Sequence, residues 1–357
     1  MKKILIVILL SITSVFAVDA SMEIIKKAKN LPKIVISSSQ YTQAPILEKI
    51  RKVIAKDLSV SGHFDVSTLQ VPTEFKNNPD YFTLGNNGID LFLNLDVVQN
   101  NPRGVTLKIK LFDVNKKAIE FNKTISSKAI KRYPFVGHRA SIMVNKHLNA
   151  PSIDWMDRFV IFSVYKSARQ ADIVVGDYTL EYQNTIVKGG LNIFPKWANS
   201  NQREFYYTTY NGGQPKIVKL NLYTGKKETI MKSEGMVVAS DISSNGSKLL
   251  ITASPNGQPD IYLYDLITKS KTRLTKYKGI DVGAHFVEND SKIVFVSDRL
   301  KYPNIFSKKI GGRGVERLVY HGRNNASAST YKNFVFYTAR EGNNEFSEKS
   351  FNLFLIS

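Results

Sequence analysis

The chain has 357 residues, of which 43% are hydrophobic, enough to pack two or three domains. It carries 50 Lys and Arg against 30 Asp and Glu, a formal net charge of +20, and no cysteine. The missing cysteines exclude disulfides, thiolate metal sites and a thiol nucleophile. The lysines are scattered, without a basic run or a base-stacking motif, which points to a generally basic surface and not to nucleic acid.

Met1-Lys2-Lys3 precedes an apolar stretch at residues 4–15 that is too short to span a bilayer comfortably. Small residues suit cleavage after Ala17 or Ala20, so residues 1–20 read as a secretory signal peptide, the rival being an uncleaved anchor. Cleavage after Ala20 removes two lysines and one aspartate, taking the charge from +20 to +19. No other stretch approaches the length of a span, so the mature chain is expected to be soluble outside the inner membrane. Residues 21–32 hold Ile24 and Ile25 among charged neighbours. They read either as a frayed terminus or as a segment that docks on a partner by adding a strand or helix.

Residues 33–150 read as an α/β domain. Lys33–Ser38 is a strand by its Ile-Val-Ile run, and Pro45 suits the first turn of a helix whose stripe is Ile46, Leu47, Ile50, Val53, Ile54 and Leu58. Gly62 is placed to end that helix. Residues 89–98 are strand-like, and Val105, Leu107, Ile109 and Leu111 alternate with polar residues. Residues 118–125 can pair with them, and residues 135–148 form a second helix. A mixed sheet with two helices on one face fits this order.

From residue 151 a 44-residue period takes over. Gln214-Pro215-Lys216-Ile217, Gln258-Pro259-Asp260-Ile261 and Tyr302-Pro303-Asn304-Ile305 stand in register, and Ala171-Asp172-Ile173 occupies the same place one repeat earlier. Each follows an apolar run by about ten residues, across a polar turn such as Ser254-Pro255-Asn256-Gly257. Four short strands and their turns fill such a repeat, which is one blade of a β-propeller. Blades are expected near 153–195, 196–239, 240–283 and 284–327, with a fifth from 328 whose first strand is residues 334–338. The sequence stops within that blade, which suggests that about one and a half blades are missing from it.

Motifs for chemistry are scarce. There is no G-x-S-x-G elbow, no Walker loop, no H-E-x-x-H, and Gly311-Gly312-Arg313-Gly314 fails the dinucleotide spacing. The five histidines, His63, His138, His147, His285 and His321, are dispersed and suggest no metal site. No cofactor is expected. The innermost strand of each blade is expected to begin just before Trp197, Ile242 and Phe286. That would place Lys196, Asp241 and His285 as polar strand starts around one mouth of the channel, a concave surface for a protein partner.

The order of signal peptide, α/β domain and repeats resembles the TolB family, the periplasmic components of Tol–Pal systems. The repeats carrying this resemblance are Asn245-Gly246-Ser247-Lys248-Leu249 with Gln258-Pro259-Asp260-Ile261-Tyr262, and Phe295-Val296-Ser297-Asp298-Arg299 with Pro303-Asn304-Ile305-Phe306. Gly137-His138-Arg139-Ala140-Ser141 is similar to the family's Gly/Ala-His-x-x-Ser segment, and Ser61-Gly62-His63-Phe64 to its Ser-Gly-x-Phe. Ile142 departs from the acidic residue usual after that serine. The resemblance implies a six-bladed ring and a non-enzymatic, monomeric, periplasmic hub. It implies that the lipoprotein Pal binds at the propeller mouth, through Lys196, Asp241 and His285 by repeat position. It further implies that TolA binds residues 21–32 through Ile24 and Ile25. The alternative is the propeller of a secreted hydrolase or carbohydrate-binding protein, for which a catalytic domain would have to follow the blades. On the hub reading, Asp241→Lys with His285→Glu is expected to weaken Pal binding without unfolding the ring.

Overall fold

The computed structural model describes residues 31–38, 45–98, 104–340 and 351–357. Residues 1–20, read above as a signal peptide, and Ile24 and Ile25 lie outside the described residues. The chain forms two compact units, one ending at Ser233 and the other spanning Glu234–Ser357.

The first unit opens with β1 (Lys33–Ser38), α1 (Pro45–Ser61), β2 (Asp65–Ser67), α2 (Tyr81–Asn86), β3 (Leu91–Val98), β4 (Val105–Asp113), β5 (Ala118–Ser127) and α3 (Tyr133–His147). The sheet order is β2-β1-β3-β4-β5, parallel around β1 and antiparallel from β3 to β5. Helix α1 ends at Gly62, whose φ of 71° a side chain would resist. Its stripe Leu47, Ile50, Ile54 and Leu58 packs with Ile34, Leu93, Leu107 and Ile109 of the sheet and Val136, Ala140 and Val144 of α3. The two helices pack tightly at Gly137, where a Cβ would stand 2.7 Å from Val53 Cγ1.

The other face of the sheet buries a smaller core of Val35, Leu84, Phe92, Phe112 and Val114. Leu84 comes from α2, a six-residue helix too short to leave a periodic signal in the sequence. Its cue is local: Asp80 Oδ1 accepts the N–H groups of Phe82 and Thr83 at 3.0 and 3.1 Å, satisfying donors that the first turn leaves open.

After a 3-10 turn at Asp154–Asp157 come the blades. The first unit holds β6 (Val160–Ser167), β7 (Gln170–Gly176) and β8 (Gln183–Val187), then β9 (Asn192–Trp197), β10 (Glu204–Thr209), β11 (Lys216–Asn221) and β12 (Lys227–Lys232). The second unit holds β13 (Val237–Ile242), β14 (Lys248–Ala253), β15 (Asp260–Asp265) and β16 (Lys271–Arg273), then β17 (Asp281–Val287), β18 (Lys292–Ser297), β19 (Asn304–Lys309) and β20 (Glu316–Arg317). It closes with β21 (Arg323–Tyr331), β22 (Phe334–Arg340) and β23 (Asn352–Ile356). Strands pair antiparallel in chain order within every blade. The fold class is thus an α/β domain followed by a β-propeller.

The recurring Pro-x-Ile has a structural reason. The residue after the proline starts the third strand of its blade, and Ile217, Ile261 and Ile305 are fully buried. The proline carbonyl binds the chain that follows its blade: Pro215 O accepts Ser233 N–H at 3.1 Å just past β12, and Pro259 O and Pro303 O reach the next blade, accepting Asp281 N–H at 3.2 Å and Asn325 N–H at 2.9 Å. A motif that must fill the blade core and also bond the chain that follows the blade keeps its spacing.

Two expectations about strands are corrected. Trp197 and Ile242 end their strands β9 and β13, and Phe286 is the last residue but one of β17, so Lys196, Asp241 and His285 lie near strand ends, not strand starts. In the fifth blade β21 comes first, and residues 334–338 belong to β22, the second strand. Both errors have one cause. First strands such as Val237-Val238-Ala239-Ser240-Asp241 and Asp281-Val282-Gly283-Ala284-His285 are made of short side chains. Each also carries a register shift, between Ala239 and Asp241 and between Val282 and His285. A bulge breaks the two-residue alternation by which a strand is read.

Candidate binding sites on the propeller and at its junction

Asp241 and His285 meet. Strands β13 and β17 place His285 Nδ1 3.6 Å from Asp241 Oδ2, with their side chains 15% and 14% exposed. The same Oδ2 accepts the Phe286 N–H at 3.0 Å. Asp241 therefore joins one blade to the next and is not a free solvated group. Farther along the same pair of blades, Thr252 Oγ1 accepts Gly283 N–H at 3.2 Å. Lys196 belongs to the other compact unit, half-buried on β9 and opposite Tyr206 in the ladder.

A second cluster, not foreseen from the sequence, sits where the α/β domain meets the first blade. His138 of α3 is fully buried, with Nδ1 2.8 Å from Asp57 Oδ2 of α1 and Nε2 3.2 Å from Asp177 Oδ2 of the β7–β8 turn. Asp57 also accepts the Tyr178 hydroxyl at 2.5 Å. Asp177 caps its own turn, accepting Thr179 N–H at 2.8 Å, Tyr182 N–H at 2.6 Å and the Thr179 hydroxyl. Burial opposes a charge on His138, but the hydrogen bonds to Asp177 and Asp57 outweigh it and push the imidazole up to about 9. Burial would also raise Asp177, yet its bonds to His138 and Thr179 hold it below the usual carboxylate range. Burial, reinforced by Asp57, pushes the Tyr178 hydroxyl up.

The connection from α3 into the propeller is held as well. Asn145 Nδ2 donates to Pro151 O at 2.8 Å, and Asn145 Oδ1 stands 2.7 Å from His63 Nδ1. Phe135 packs edge-on against Phe159 and Tyr182 at 5.1 and 5.5 Å between ring centres. Beside these rings lies a cleft of about 670 Å³ whose lining includes Arg139, Met143, Lys146, Asp157 and Phe159. Its charges are largely matched: Lys146 pairs with Asp154 at 2.8 Å, and Arg139 lies 3.9 Å from Asp157.

The sequence signals for this cluster were the Gly-His-x-x-Ser and Ser-Gly-x-Phe segments, which contain His138 and His63. Nothing in the spacing tied them to Asp57 or Asp177. Among the described residues no group of three or more His, Asp or Glu is placed to hold a metal ion. No helix among them is long and apolar enough to cross a membrane.

An α/β domain followed by a series of three- and four-stranded antiparallel blades defines a β-propeller protein with an N-terminal α/β domain. Residues 20–119 match the TolB amino-terminal domain and residues 158–353 match the TolB beta propeller domain. The chain belongs to the TolB family. It is 43% identical to the Tol-Pal system protein TolB of Wolinella succinogenes, over 99% of this chain and 85% of that one. It is also 43% identical to the Tol-Pal system protein TolB of Helicobacter hepaticus, over 100% and 84%. The crystal structure of TolB from Acinetobacter baumannii shares the fold, with a TM-score of 0.73 at 24% identity, covering 91% of this chain and 80% of that one.

Proposed function

We propose that this protein is a non-enzymatic, periplasmic protein-binding hub of a Tol–Pal envelope system. It links inner-membrane Tol proteins to the outer-membrane lipoprotein Pal and serves envelope integrity and cell division. The reading rests on one observation: both domains match TolB models in order, and relatives alike over nearly the whole chain are named Tol-Pal system proteins. In this reading residues 1–20 direct export and are removed, and residues 21–32 with Ile24 and Ile25 engage TolA. Pal then takes a mouth of the propeller that includes Lys196, Asp241 and His285.

The physical logic of such a hub is a division of labour. A propeller supplies a rigid concave surface whose centre can be desolvated by an inserted loop, where binding energy concentrates. A short terminal segment binds by folding onto its partner, at a cost in ordering entropy that keeps the contact reversible. Calorimetric titration of the mature protein with the soluble domain of Pal is expected to give saturable one-to-one binding. Absence of heat and of co-elution would remove Pal from the reading.

A further inference from the structure

We propose that Asp57, His138 and Asp177 form a latch, a buried imidazolium gripped from α1 on one side and from the β7–β8 turn on the other, which fixes the α/β domain on the first blade. All three side chains are fully buried. A neutral imidazole has one donor and one acceptor nitrogen, so it would turn a lone pair toward one of the two carboxylates. Two carboxylates at 2.8 and 3.2 Å call for donors on both nitrogens, which is the charged form. The bonds also cross the junction twice, because Tyr178 of the turn returns to Asp57 of α1.

The other contacts there are polar bonds at the exposed rim, such as the Tyr133 hydroxyl donating to Glu181 at 2.9 Å and Lys146 pairing with Asp154 at 2.8 Å, and ring contacts. Phe135 on Phe159 and Tyr182, and Trp155 on Tyr178, are ring contacts that tolerate sliding. Of the charged contacts there, the ionic triad is the fully buried one, where a lost orientation cannot be made good by water. Each side keeps its own core without it, the sheet-and-helix cluster around Leu93 and Ile109 and the blade cluster around Ile173 and Phe205. Loss of the latch should therefore loosen the junction and leave both parts folded.

The charges facing His138 are Asp57 from α1, Asp177 from the turn and, at longer range, Asp157 from the 3-10 turn; Arg139 lies beside Asp157. The folded state raises the imidazole from 6.5 to about 9. A raised histidine contributes stability that is complete below its unfolded value and is lost as pH rises through the folded one. The latch is thus closed from weakly acidic to neutral pH, where the carboxylates are ionised, and opens near pH 9.

The test exploits the absence of cysteine. Spin labels are placed on full-length Lys56→Cys, Lys226→Cys protein, both positions being exposed and on opposite sides of the junction. Pulsed electron–electron distances should show one narrow distribution from pH 6 to 8 that broadens near pH 9. With His138→Gln added, the distribution should be broad at every pH, with circular dichroism still reporting a folded chain. Asp177→Asn keeps the shape but removes one charge, so the opening should move down by about one pH unit. A narrow, pH-independent distribution in folded His138→Gln protein would overturn the latch. So would a wild-type distribution unchanged from pH 7 to 10. Should His138→Gln fail to fold, the wild-type and Asp177→Asn profiles still decide.

Discussion

Replacing Asp241 by alanine should destabilise the propeller more than any role at a solvated rim would allow. The substitution removes the acceptor that Phe286 N–H meets at 3.0 Å, and Phe286 is 7% exposed. A buried donor left without its partner costs about 1–3 kcal/mol. The His285 contact, 3.6 Å long and partly solvated, adds about 0.5 kcal/mol at most. A total of about 1–3.5 kcal/mol lowers the melting temperature by about 2–14 °C in a domain of this size. His285→Ala removes only the smaller contribution and should cost under about 1 kcal/mol. Paired circular dichroism melts at pH 7.5 measure both. An Asp241→Ala melt within about 1 °C of wild type would refute the inter-blade role. The same reasoning changes how the mouth should be probed. Asp241→Lys would weaken a partner through the scaffold as well as through the surface, so His285→Ala is the cleaner probe of Pal contact.

Other substitutions test the packing argument. Arg299 holds the fully buried Asp281 with both carboxylate oxygens at 2.9 Å and lies over Tyr277 and Phe306; Arg299→Ala strands that carboxylate and should cost about 3–5 kcal/mol in a denaturant titration. A loss under about 1 kcal/mol would mean that water reaches Asp281. Gly137→Ala forces a methyl to within 2.7 Å of Val53 Cγ1 and should cost about 1–3 kcal/mol, read from the same titration; an unchanged midpoint would mean that α1 and α3 part freely. Asp80→Ala removes the cap of α2 and should cost about 1 kcal/mol, seen as faster amide exchange at Phe82 and Thr83.

The parts of the fold that were legible in the sequence are those with a repeating physical constraint. The buried Ile217, Ile261 and Ile305 each follow a proline at fixed spacing, so the blades announced themselves. The α1 stripe from Leu47 to Leu58 did the same for the first helix. The first strands were hidden because Ala239, Ser240, Gly283 and Ala284 are small and a bulge interrupts their alternation. Helix α2 was hidden by its shortness, though Asp80 marked its start. Of the candidate sites, repeat position put Asp241 and His285 at equivalent places of neighbouring blades, but neither their contact nor Asp241's bond to Phe286 N–H could be read from it, since both depend on how one blade abuts the next. The junction cluster was out of reach for a deeper reason. Asp57, His138 and Asp177 are far apart in the chain, and each taken alone reads as an ordinary polar residue. Only the packing of α1 and α3 against the β7–β8 turn makes them one group.

The most direct test of the hub is to separate its two partners on one chain. The mature protein and a version lacking residues 21–32 would each be titrated with Pal and with the periplasmic domain of TolA, and melted in parallel. The account predicts that the truncation abolishes TolA binding, leaves Pal affinity within about twofold, a difference of about 0.4 kcal/mol, and leaves the melting temperature nearly unchanged. Unaltered TolA affinity in the truncated protein, or no Pal binding in either, would contradict it.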